Sequence, residues 1–77
     1  MTHNMMNPES FAGLTLERLP QVRARCALSR SEIYRRILTG DFPAPVKIGM
    51  RASAWNSAEI DAWIAGRIAL RDLGAQR

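Results

Sequence analysis

Seventy-seven residues make one domain, and a chain this short buries only about 60% of the surface its unfolded form exposes. A single cysteine, Cys26, excludes an internal disulfide, and with a single histidine, His3, it leaves too few ligands for the usual zinc site. The formal net charge of +4 and an isoelectric point near 10.6 point to a polyanionic partner.

From Arg18 to Arg51 the chain carries eight bases against two acids, Glu32 and Asp41, while the remainder is net acidic. The positive charge is therefore central. No stretch approaches the roughly 18 apolar residues of a membrane span. The opening MTHNMMNPES lacks the basic flank and apolar run of a secretion signal, so residues 1–13 are expected to be a disordered tail. A lone thiol suits a reducing cytoplasm.

Leu14 to Arg18 alternates apolar and polar residues, the period of a short strand. Pro20 suits the first turn of a helix, where its missing N–H costs nothing. Val22 and Cys26, four apart, give that helix an inward stripe, and it ends near Cys26 because Ser29 opens the next one. Ser29-Arg30-Ser31-Glu32 has capping-box spacing: the hydroxyl accepts the N–H three residues on, and Glu32 reaches back to Ser29. Gly40 supplies a left-handed stop. Two short helices joined through Ala27 and Leu28 predict a helix-turn-helix.

Pro43 and Pro45 break any continuation. Val46-Lys47-Ile48 and Ala52 to Trp55, around Gly49-Met50-Arg51, read as a hairpin. Asn56-Ser57-Ala58-Glu59 is a second capping box, and Ile60, Trp63, Ile64 and Ile68 define an amphipathic helix running to about Leu73. The expected architecture is mainly α with a small β-hairpin, a winged helix-turn-helix over residues 14–73, with residues 74–77 as a C-terminal tail.

On a helical wheel Ile33 and Ile37 share one face, with Tyr34 and Leu38 on its shoulder. Ser31 and Arg35 project from the opposite side, flanked by Glu32 and Arg36. A major groove about 12 Å wide accepts such a helix, and arginine pairs bidentately with guanine there. Ser29, Arg30, Tyr34 and Arg36 border that face within reach of phosphates, which fix position without reading sequence. Lys47 and Arg51 belong to the wing, and Arg51 near its tip suits the minor groove. Plainer roles stand beside these. Ser29 and Glu32 are caps, Tyr34 is half-core, Arg36 pairs with Glu32 four residues back, and Lys47 and Arg51 guard a strand edge. Cys26, Trp55 and Trp63 read as core.

The motifs Leu19-Pro20, LSRSEIYR, GDFPAPVKIG and the pair Trp55 and Trp63, in that order over about Leu16 to Ala69, resemble the AlpA-type prophage regulators, small winged relatives of the MerR helix-turn-helix. FPAPVKIGMR also resembles the wing region of phage lambda excisionase. The resemblance implies a non-catalytic DNA-binding protein of a mobile element, with the second helix in the major groove and the wing in the minor groove. By position it makes Ser31 and Arg35 base-facing and Arg51 the wing contact. It further implies head-to-tail self-association on tandem sites and a tyrosine-recombinase integrase as partner. Ala27 stands where the family turn usually has glycine, and Arg36 where the family is often apolar.

Two jobs fit such a surface: recombination directionality, as an excisionase that bends an attachment site, and transcriptional regulation of a nearby promoter. A bound protein would be nucleoid-associated. The alternative class is a protein-interaction module docking onto an integrase or the transcription machinery, which an apolar patch beyond core needs would favour. An enzyme finds no candidate site, since there is no glycine-rich phosphate loop and no catalytic constellation. No cofactor, small molecule or membrane partner is expected.

Overall fold

The structure, a computed structural model, describes residues 14–75. The expected N-terminal tail, His3 included, and residues 76–77 lie outside the described residues. Six elements follow in order: β1 (Leu16–Glu17), α1 (Leu19–Cys26), α2 (Arg30–Leu38), β2 (Val46–Gly49), β3 (Ala52–Asn56) and α3 (Ser57–Ala75).

The helix pair forms as its sequence dictates. At the start of α1, Gln21 Oε1 accepts the Arg18 N–H at 3.1 Å, and Pro20 occupies the first turn. The turn is tight because Ala27 adopts a left-handed conformation, φ 57°, and its N–H closes onto the Arg23 carbonyl. At α2 the Ser29 hydroxyl accepts the Glu32 N–H at 3.1 Å. The reciprocal half of the box does not form. The Glu32 carboxylate accepts instead from Arg35 and Arg36, because charge-assisted bonds from two guanidinium groups outcompete one backbone N–H. Gly40, φ 78°, stops the helix, with Gly40 and Asp41 N–H groups returning to the Ile37 and Arg36 carbonyls.

The sheet has three antiparallel strands in the order β1-β3-β2, so the short first strand joins the hairpin. Leu16 pairs with Asn56 and Glu17 with Trp55, while Val46 pairs with Ala54 and Lys47 with Ser53. The register shifts between Lys47 and Gly49, a bulge that twists the wing near its turn. Asn56 Oδ1 caps α3 by accepting the Ala58 N–H at 2.9 Å.

Val22, Ile33, Phe42, Trp55 and Ile60 form the core, with Cys26, Leu28, Ile37, Trp63 and Ile64 packed around it. Both indoles donate to the proline-bearing linker, Trp55 Nε1 to the Pro43 carbonyl at 2.9 Å and Trp63 Nε1 to that of Asp41 at 2.8 Å. These bonds, with Phe42 packed edge-on to Trp63, hold the linker against the core. Burial pushes the Cys26 thiol upward, which suits an inert core thiol.

Four apolar positions depart from the expected patterns: Leu14 and Leu16 of the expected first strand are exposed while Glu17 beside them is buried, and Leu38 and Ile68 face solvent on their helices. Leu38 is 88% exposed, because α2 ends there with Ile37, not Leu38, turned to the core. Ile68 is 47% exposed and the residues around it are solvent-facing, because α3 outruns the thin body it packs on. That helix continues to Ala75, two residues past the expected end. The result is three helices and a small antiparallel sheet in winged helix-turn-helix order.

Candidate nucleic-acid interface

The outward edge of α2 is open to a partner. Ser29, Arg30, Ser31 and Arg35 are all exposed, and the Ser29 and Ser31 hydroxyls sit 3.5 Å apart at the helix start. Arg35, its side chain 60% exposed, lies along the helix surface with Nε and Nη2 on the two oxygens of Glu32, at 3.1 and 2.5 Å. That hydrogen bond, chiefly, raises Arg35 above its ordinary value and holds the Glu32 carboxyl below the usual carboxylate range. Arg35 is thus a permanent cation held extended by an acid one turn behind it. A bidentate fork presented at a fixed position is what guanine recognition requires.

The fold sorts the cations into two sets. Arg25 bridges Glu17 and Asp61, which ties α1 to β1 and α3. Ser57 also donates to the same Glu17 oxygen at 2.6 Å. Arg36, its side chain only 21% exposed, bonds Glu32 and Asp41 and lies 5.9 Å from the Trp63 ring centre. Its charge is spent on holding α2 to the linker and α3. Arg18, Arg23, Arg30, Lys47 and Arg51, by contrast, have no acidic partner among the described residues.

Three of those free cations meet. A concavity of about 280 Å³ between the helix pair and the wing is lined by Arg18, Arg30, Tyr34, Arg51 and Ser53, with no carboxylate in its wall. Arg30 lies over the Tyr34 ring, 5.1 Å from its centre, and Tyr34 in turn meets Trp55 edge-on at 6.2 Å. The half-buried tyrosine is therefore both a core contact and the platform that holds Arg30. Lys47 is exposed on β2, and Met50, 91% exposed, forms the wing tip beside Arg51.

Of the candidate residues, Arg30, Tyr34 and Arg51 come together, while Ser29, Ser31 and Arg35 form the neighbouring edge of α2. Lys47 stands apart on the wing, and Arg36 turns to the Asp41–Trp63 side. Sequence reasoning missed Arg18. Its signal was its place immediately before Leu19-Pro20, where the chain turns from strand to helix, but only the β1–β3 pairing carries that corner next to the wing.

Residues 16–68 match the family described as Prophage CP4-57 regulatory protein (AlpA). The chain belongs to the AlpA family. It is also 49% identical over 57 residues to Uncharacterized protein ORF88 of Enterobacteria phage P4, a match covering 74% of this chain and 65% of that relative. The chain thus spans less than two thirds of the relative's length. The matching family is described as one of prophage regulatory proteins. Among the described residues no helix is long and apolar enough to cross a membrane, and no cluster of candidate metal ligands occurs.

Proposed function

We propose that this AlpA protein binds double-stranded DNA sequence-specifically, with α2 in the major groove and the wing along the adjoining minor groove. Ser31 and Arg35 face base edges. Ser29, Arg30 and Tyr34 hold the flanking phosphates, and Lys47 and Arg51 bring charge to the minor-groove side. Arg36, a candidate phosphate contact by sequence, serves the interface by orienting α2. The observation that supports this reading most is that Arg30 and Arg51, from helix and wing, line one acid-free wall beside the open edge of α2.

The biological role we propose is excisionase, transcriptional regulator, or both, at an attachment site and the promoter beside it. Copies bind head-to-tail on tandem sites, and an integrase of the tyrosine-recombinase class is the protein partner. A docking role is the second reading, favoured by one observation: Ile68, Leu70 and Leu73 are exposed on the outer half of α3.

Footprinting on the element's attachment site and adjoining promoter tests the proposal. A protected stretch is expected, with log affinity falling against log salt by roughly 0.9 per phosphate neutralised. Binding indifferent to salt, or protection nowhere on that DNA, would remove the duplex reading and leave the docking role.

A further inference from the structure

A duplex held by a helix in one groove and a wing in the next must pass one sugar–phosphate strand between them, because that strand is what separates the grooves. In this protein the space between α2 and the wing is the acid-free concavity. Its three guanidinium groups come from three elements: Arg18 at the start of α1, Arg30 at the start of α2, and Arg51 at the wing turn. Like charges gathered in one hollow repel, and no acid among the described residues lines it to neutralise them. Glu17, Glu32, Asp41 and Asp61 are all engaged by Arg25, Arg35 and Arg36 instead. Arg18 and the first residues of α1, Leu19 and Pro20, also line it, so the N-terminal end of that helix adds partial positive charge.

We infer that the concavity is a seat for a single backbone phosphate, gripped together by Arg18, Arg30 and Arg51, with Arg18 as an arm outside both the recognition helix and the wing. This rests on the duplex reading above. A phosphodiester offers two non-bridging oxygens that share one negative charge, and arginine forks grip them with geometry as well as charge. Tyr34 holds the Arg30 fork in place. Because one phosphate is bound from three elements, the seat sets the register of the wing against the helix pair. It carries no sequence information itself.

The test uses the full chain and a duplex in which single phosphates are replaced, one at a time, by uncharged methylphosphonates across the footprint. One linkage, between the groove contacted by α2 and the groove contacted by the wing, should weaken binding on the order of 10-fold. Arg18→Gln, Arg30→Gln and Arg51→Gln should each weaken binding to unmodified DNA equally on all sequences, and each should be blunted to that one methylphosphonate. Arg71→Gln, on the far part of α3, should remain fully sensitive to it. Arg18→Lys should recover part of the affinity lost in Arg18→Gln, as a point charge without the fork. Full additivity of Arg18→Gln with every methylphosphonate would overturn the seat. A DNA-free arm separates this from the duplex reading: titration with inorganic phosphate, followed by NMR at the arginine Nε–H groups. One common midpoint for Arg18, Arg30 and Arg51, abolished by Arg51→Gln, is expected. Unrelated midpoints, or none, would overturn the seat even if DNA binds.

Discussion

Replacing Ala27 with glycine should make the protein more stable. Ala27 closes the turn between α1 and α2 with φ at 57°, the left-handed region in which a Cβ crowds the following carbonyl. That conformation costs a non-glycine residue roughly 1–2 kcal/mol. Glycine removes the crowding but gives the unfolded chain more freedom, which offsets about 0.4–1 kcal/mol. The methyl is exposed, so its loss removes no packing. The net gain is about 0.5–1 kcal/mol. For a domain of this size each kcal/mol moves the melting temperature by roughly 4–8 °C, so a rise of about 2–8 °C is expected. Trp55, fully buried, provides the fluorescence signal for thermal and urea melts. Ala24→Gly, exposed in the body of α1, is the matched control and should lose about 1 kcal/mol. If both substitutions destabilise alike, the turn stores no strain and the argument from φ is wrong.

Glu32→Gln bears on the acid end of the stability profile. A carboxyl held below its unfolded pKa stabilises the fold above that pKa, and the gain disappears as pH falls through the folded value. The melting temperature of the parent should therefore decline more steeply than that of Glu32→Gln below about pH 4.3, and parallel declines would show that the clamp adds nothing. Glu17→Ala leaves Arg25 and Ser57 without their shared acceptor and should cost about 1–3 kcal/mol in urea unfolding. Arg35→Ala should relax preference at one base position by about 1–3 kcal/mol in competition binding, whereas uniform weakening would make Arg35 a phosphate contact. Gly66→Ala, where an added Cβ meets nothing, should raise helicity by circular dichroism and stabilise α3 by up to about 1 kcal/mol.

Much of the fold was legible in local chemistry. Ser29 and Gly40 bracket α2, Asn56 opens α3, and the prolines of DFPAP forbid a longer helix, because each acts through its own backbone neighbours. What escaped local reading depends on partners distant in sequence. Two residues of β1 become a sheet edge only when Asn56 and Trp55 arrive to pair with them. Phe42, in a linker without periodicity, is buried because Trp63 closes over it. Ile68 continues a regular stripe, yet the body of the protein ends before the helix does, and periodicity contains no information on how far the opposing surface extends.

The same limit governs the candidate site, and there it changes the chemistry. A count of bases treats Arg25, Arg36 and Arg51 alike, and all three lie in the strongly cationic central run. Folding gives Arg25 two carboxylates and Arg36 two more, while Arg51 receives none among the described residues. An arginine bonded to two separate carboxylates, as Arg25 and Arg36 are, must surrender those bonds before it can neutralise a phosphate, so it contributes little to binding and much to orientation. An unpaired arginine loses only its water. The positive face that matters is therefore smaller than the sequence suggests and differently composed. On the proposed reading Arg36 leaves it and Arg18 enters it, while Glu32 and Asp41 engage Arg36 and Glu32 also directs Arg35. On this account, removing Glu32 should strengthen binding to duplexes of any sequence while weakening discrimination, since Arg35 would lose the partner that fixes its direction.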